Sequence, residues 1–273
     1  MGAVEVTVAD LDRSLHYYRD QIGLDVLGQD DGRASLGGHG GSKLLGLVEE
    51  PGARPADGYT GLFHFALLLP ERRDLARWLG HASRDRVQLT GLSDHFVSES
   101  IYLRDPDHHG IEIYADRPRE IWEGTVMERM TTAPLDVESL LSELDDPASA
   151  AFEGMPAGTA MGHVHLRVSD IPETIRFYQG ILGFDLMAAL GPQAAFLSAG
   201  GYHHHIGANT WESAGAPPPP AGTAALRRTT IVLPDQDARD EVVARVADAG
   251  QEPEQTPAGP LVRDPSGNSL LLS

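Results

Sequence analysis

The sequence predicts an α+β fold made of four related units in two tandem halves. Three observations carry this. Stretches of period-two apolar alternation and stretches of helical apolar spacing follow one another in the order strand, helix, strands. That order returns 160 residues later with identities and glycines in register: Val8-Ala9-Asp10-Leu11 against Val168-Ser169-Asp170-Ile171, and Ile22-Gly23-Leu24-Asp25 against Leu182-Gly183-Phe184-Asp185. A second pair of segments is related in the same way, Phe63–Pro70 to Arg227–Pro234 and Tyr102-Leu103-Arg104-Asp105-Pro106 to Leu261-Val262-Arg263-Asp264-Pro265.

Taken in order, Val4 to Val8 alternate and predict a half-buried strand. Asp10 then caps a helix whose Leu11, Leu15, Tyr18 and Ile22 share a face, and Gly23 stops it. Short strands are expected at 34–36 and 43–48, which completes a first unit over residues 1–50. The second unit, 59–116, opens on a strand carrying His64 and continues in a polar amphipathic helix. It ends in a hairpin within Ser93–Tyr114, interrupted by the turn-forming run Arg104–Gly110. Residues 117–159 have no counterpart. Within them Asp136–Leu144 reads as one amphipathic helix and Asp145–Thr159 as a Pro/Gly/Ala-rich stretch, the whole forming a connector. Units three and four follow at 160–212 and 223–273, separated by a loop of polyproline character at Pro217–Pro220. The expected halves are therefore residues 1–116 and 160–273.

At 273 residues with 41% hydrophobic content, the chain is long enough for two packed domains, and disorder is not expected. It has no cysteine, so disulfides, thiolate metal sites and cysteine nucleophiles are excluded, and a metal would have to be held by His, Asp or Glu. A net charge of −19 argues against nucleic-acid and anionic-membrane partners. No basic segment with an apolar stretch opens the chain, and no apolar run approaches about 20 residues, so a soluble cytoplasmic protein is expected.

The four units, with the phrases VSDIPETIRFYQGILGF and DPDHHGIEIY, resemble the vicinal oxygen chelate superfamily of glyoxalases, bleomycin resistance proteins and extradiol dioxygenases. The resemblance implies the vicinal oxygen chelate fold: four βαβββ units whose curved sheets pair into metal-holding cups.

Comparison of the repeats separates scaffold from chemistry, because a polar group needed by the scaffold would recur in every copy. At the first strand, unit three has His163 where unit one has Ala3, and unit two has His64 where unit four has Arg228. Further on, Glu112 stands against Leu271, Tyr102 against Leu261 and His204 against Leu44. Units two and three thus own the site-like residues, which points to one active cup between them. Strand parity places His163 opposite the apolar face of Val164, Leu166 and Val168, and Glu112 opposite Ile111 and Ile113. His165 shares a face with His163 and is the alternative ligand. His108 and His109 read as turn residues, and Tyr17, Tyr18, Phe177 and Tyr178 as helix packing.

Two histidines and one glutamate, His64, His163 and Glu112, make a set suited to Fe(II), with Mn(II), Ni(II) or Zn(II) as other occupants of such N/O ligands. The run His95, five residues, Ile101-Tyr102, Asp105-Pro106 and then Glu112 resembles the signature of type I extradiol dioxygenases, with His108 where that signature has Gly or Pro. The phrases GYHHHIG, GLFHFALLLP and IEIYADRPRE resemble the bacillary-type catechol-2,3-dioxygenase family. The resemblance implies Fe(II)-dependent ring cleavage of a catechol by O2, with His204 as acid–base residue, Tyr102 donating a hydrogen bond to substrate and His95 orienting substrate or Tyr102. Two other readings remain open: a glyoxalase-like isomerase or lyase, and a non-catalytic binding protein of the same fold. The oligomeric state stays open, with a homo-oligomer among the readings, since proteins of this kind often associate symmetrically.

Overall fold

The computed structural model describes residues 1–145 and 151–273. Residues 146–150, part of the expected Pro/Gly/Ala-rich stretch, lie outside the described residues.

The first unit comprises β1 (Val4–Val8), α1 (Leu11–Tyr17), β2 (Asp25–Asp30), β3 (Arg33–Gly37) and β4 (Lys43–Glu49), followed by a two-residue strand β5 (Arg54–Pro55). The second has β6 (Gly61–Leu68), α2 (Arg72–Arg84), β7 (Leu89–Asp94), β8 (Ser98–Arg104) and β9 (Gly110–Asp116). In the connector stand α3 (Arg119–Trp122), α4 (Val126–Arg129), a two-residue strand β10 (Ala133–Pro134) and α5 (Val137–Leu141). The third unit has β11 (Ala160–Arg167), α6 (Ile171–Phe177), β12 (Asp185–Leu190), β13 (Ala194–Ser198) and β14 (Ile206–Asn209). After a short β15 (Thr223–Ala224), the fourth has β16 (Leu226–Ile231), α7 (Gln236–Asp248), β17 (Glu254–Thr256), β18 (Gly259–Arg263) and β19 (Ser269–Leu272).

The repeat is visible in the local chemistry. Asp10 accepts from the amide of Arg13 and Asp170 from that of Glu173, each satisfying an orphan donor at a helix start. Both helices then widen into a π turn, Tyr18–Ile22 and Tyr178–Leu182, closed by Gly23 and Gly183 in the left-handed region. Sequence spacing alone showed a continuous helix at these turns.

Two large sheets form, each joining units from different halves, and β5 and β15 pair as a small parallel third. The order β10-β7-β8-β9-β6-β11-β14-β13-β12 unites units two and three, and β17-β18-β19-β16-β1-β4-β3-β2 unites units four and one. The joints are antiparallel, β6 on β11 and β1 on β16. Contacts within each half are made by the helices instead. Trp78 of α2 donates to the Ile22 carbonyl, Tyr18 donates to Asp105 at 2.7 Å, and Arg245 of α7 donates to the Ile181 carbonyl. One apolar cluster runs through both sheets and their helices.

The connector carries two single-turn helices, α3 and α4, besides the one expected, which shortens to Val137–Leu141 with Asp136 as its cap. Trp122 and Val126 are buried there in a small cluster with Val97, packed on Phe96, Met130 and Tyr202. No helix among the described residues is long and apolar enough to cross a membrane.

Candidate metal and catalytic site

The joint between β6 and β11 builds the site. Bulges in that pairing, near Gly162 and again after His165, set His64 opposite His165 and bring His163 beside it. On the other side of β6, the parallel strand β9 places Glu112 level with Ala66. Its first residue must be glycine, since a Cβ on Gly110 would run into the Phe63 carbonyl and the His64 side chain.

His64 Nε2 lies 2.9 Å and His163 Nε2 3.1 Å from Glu112 Oε2, and the two Nε2 atoms are 3.4 Å apart. This is the one cluster of His, Asp or Glu among the described residues whose donor atoms lie within 4.8 Å of one another, and all three are buried. A first-row ion held at about 2.1 Å by three mutually perpendicular donors would set their separations at about 3.0 Å, close to this triangle. The residues fit such an ion, and a hard carboxylate with two imidazoles suits iron, manganese or nickel as well as zinc. Burial alone would push the Glu112 carboxyl up, yet His163 and His64 hold it well below the usual range. Burial lowers His163, as a neutral nitrogen ligand requires.

The triangle borders a cavity of about 640 Å³ whose walls include Phe63, Phe196 and Trp211, with Tyr102, His95 and His204 among its polar groups. The His204 ring lies tilted at 45° to that of His163 with centroids 4.1 Å apart, and burial first, then His163 and His203, push its pKa well down. The histidine triplet immediately precedes β14. His165 lines the cavity too, but its Nε2 has no partner and it is no part of the triangle.

Tyr102 and His95 are joined at 2.7 Å through the tyrosine hydroxyl and Nε2. His95 Nδ1 sits 2.8 Å from the Thr131 carbonyl, which can only accept, so Nδ1 carries a proton. With that ring neutral, Nε2 is an acceptor facing the tyrosine hydroxyl, which is also within hydrogen-bonding reach of Ser100 and Glu112. Burial, then Glu112, pushes the tyrosine hydroxyl well above its ordinary value, so it stays protonated.

Sequence reasoning missed the connector's share. Met130, Thr131 and Thr132 line the cavity, and Arg119 donates to the Gly200 and Gly201 carbonyls ahead of the histidine triplet. It left open which of His203, His204 and His205 is catalytic, and the repeat comparison that sets His204 against Leu44 sets His203 against Lys43.

The sheet joining units one and four shows what the same scaffold looks like without these ligands. Arg228, in the place of His64, reaches Glu5 at 3.1 Å, and Arg227 and Lys43 lie 3.5 and 4.0 Å from the same carboxylate.

The sequence profile of the glyoxalase/bleomycin resistance protein/dioxygenase superfamily matches residues 1–113 and 160–272. A catechol-2,3-dioxygenase of Bacillus subtilis (strain 168) is 43% identical over 278 residues, covering 99% of this chain and 95% of that protein. Among solved structures, glyoxalase I from Zea mays aligns with a TM-score of 0.61 at 17% identity, over 100% of this chain and 91% of the maize chain. The cppA protein of Streptococcus pneumoniae aligns with a TM-score of 0.58 at 12% identity, over 99% and 96% of the two chains. These two likenesses concern the fold. With profile matches over both halves and a relative of this identity along nearly its whole length, the chain belongs to the glyoxalase/bleomycin resistance protein/dioxygenase superfamily.

Proposed function

We propose that this protein is an extradiol dioxygenase, which opens the ring of a catechol with O2 at an Fe(II) held by His64, Glu112 and His163. The observation that carries the reading is the buried His–Glu–His triangle facing an aromatic-walled cavity, in a chain 43% identical to a catechol-2,3-dioxygenase. The ion, once bound, would supply Lewis acidity and a path for electrons between substrate and O2.

The chain's own residues do the rest. Phe63, Phe196 and Trp211 favour a flat aromatic substrate and keep water from it. His204, kept neutral by burial, takes a phenolic proton and returns it as the ring opens to a semialdehyde. Tyr102, gripped by His95, presents its oxygen to the remaining substrate hydroxyl. The two tandem halves, residues 1–116 and 160–273, each supply part of this machinery, and Met130, Thr131 and Thr132 of the connector 117–159 line its cavity. The setting we infer is the cytoplasm, with a small molecule as partner, in keeping with a charge of −19 that disfavours nucleic acid and anionic membrane. The glyoxalase alternative favours two glutamate ligands, and this cluster has one.

Anaerobic purification with metal analysis and a catechol-dependent O2-uptake assay tests the reading. Bound iron and ring-cleavage absorbance are expected, and both should vanish in His64→Ala and Glu112→Ala. A protein that retains no iron and consumes no O2 with any catechol would sink it.

A further inference from the structure

The loop before β14 carries three histidines, and the reading above uses one. His203 is wholly buried and, unlike His204, does not line the cavity. Its Nε2 lies 2.9 Å from Asp116 Oδ1, and its Nδ1 lies 2.8 Å from Nδ1 of His204. With His203 neutral, these two bonds fix where the protons are. A carboxylate oxygen only accepts, so His203 Nε2 carries a proton. A neutral imidazole has one such proton, so His203 Nδ1 is an acceptor, and the donor facing it must be His204 Nδ1. Nε2 of His204 is left with its lone pair, on a ring that borders the cavity and turns its other nitrogen away.

We propose that Asp116 and His203 are positioning residues, which hold His204 in the tautomer whose Nε2 lone pair faces a substrate hydroxyl.

The surroundings are built to keep this chain of bonds in place. The second Asp116 oxygen accepts from Tyr202 at 2.9 Å, and Tyr202 in turn meets the Tyr114 hydroxyl at 2.8 Å. Since Tyr202 gives its proton to Asp116, Tyr114 donates to Tyr202, and all the polarity runs toward the carboxylate. Gly162, directly before His163, is bare where a Cβ would overlap the Tyr114 hydroxyl oxygen. Trp122 stands edge-on to His203 with centroids 5.5 Å apart, and Arg119 of the same short helix holds the loop by the Gly200 and Gly201 carbonyls. In the other sheet the matching positions are Lys43 and Leu44, so this assembly belongs to the cup with the metal-type cluster and is not a requirement of the scaffold. Packing alone would be served by apolar side chains. A buried polar chain that ends on one ring nitrogen at the cavity instead specifies a direction.

The proposal rests on the ring-cleavage reading for the use made of the lone pair, while the tautomer stands on the bonds themselves. The two are tested separately. Imidazole 15N spectra of the protein loaded with Zn(II), a diamagnetic occupant, are assigned with His203→Phe and His204→Phe. The expected result is a proton on Nδ1 of His204 and on Nε2 of His203. A proton on Nε2 of His204 overturns the proposal whatever the protein does with catechol. In the iron-loaded protein, His203→Phe and Asp116→Ala should lower kcat for catechol by about 10- to 100-fold, the usual cost of losing such a partner. KM should stay within about threefold, because the tautomer matters to proton transfer more than to binding. An unchanged kcat in His203→Phe overturns the proposal. A wild-type protein inert toward catechol refutes the reaction alone, and then, or if a variant fails to fold, the wild-type spectrum decides.

Discussion

His108 occupies the turn position where Gly267 stands in the fourth unit, with φ of 70° against 84°. Both turns are organised identically: Asp105 accepts from the amides of Asp107 and His109, and Asp264 from those of Ser266 and Asn268. The departure that the sequence shows at His108 therefore leaves the aim of Glu112 intact, because the aspartate and not a glycine shapes the turn. What it costs is left-handed backbone strain. His108→Gly should stabilise the protein by roughly 0.5 kcal/mol net of glycine's larger unfolded-state entropy, seen as a rise in the urea midpoint with unchanged activity. His205 offers a second test at this scale. Its Nδ1 accepts from the Ala199 amide, and burial pushes its pKa down to about 4. The unfolded chain binds that proton near pH 6.5, so this group's contribution is complete above about 6.5 and is lost as pH falls toward 4, at no more than about 1.4 kcal/mol per pH unit. The stability of His205→Gln should fall less steeply across that window in a pH series of thermal melts. The residues of the His–Glu–His triangle were legible in sequence because the other copies lack them. The hydrogen-bond partners of Tyr102 and His203 were not, since they are a carbonyl and a carboxylate brought in from elsewhere in the chain.

Alternation in the sequence made β1 and β9 legible, although the structure buries all five residues of β1, so the strand expected at Val4–Val8 is buried on both faces and not half-buried. β2 was missed because all six of its residues are exposed, which leaves no pattern to read. The short helices α3 and α4 were missed on different grounds, since four residues span barely one turn and establish no period. Yet this part of the connector is an element of the site. Trp122 is 2% exposed, donates to the Arg117 carbonyl and packs against Tyr202 and His203. Trp122→Ala should cost about 3–5 kcal/mol, as removal of large buried aromatics does. It should also lower catechol turnover at temperatures where the variant is still folded, because the loop bearing His204 loses its backing. Denaturant titration and steady-state kinetics on the same preparation separate the two effects.

At the scale of the molecule, the halves visible in sequence are not the halves of the sheets. Repeat comparison located the metal-type residues in units two and three, and the strand order explains why: β6 and β11 are neighbours across the joint. Unit identity could be read from residues, while unit pairing is a long-range choice that local periodicity does not encode. His64 and Glu112 lie before the connector and His163 after it, so neither half alone holds the cluster. Expressed separately, residues 1–145 and 151–273 should each bind Fe(II) or Zn(II) weakly, and mixing them should restore tight binding by calorimetry. A further consequence follows from the same triangle. An ion held by both halves acts as a removable rivet, closing the loop of chain between Glu112 and His163 and favouring the folded state by about 2.7 kcal/mol at a hundredfold excess over its dissociation constant. Chelation should accordingly lower the melting temperature and expose the connector to protease. For such a molecule, starvation for metal would be felt as a shorter lifetime as well as lost turnover.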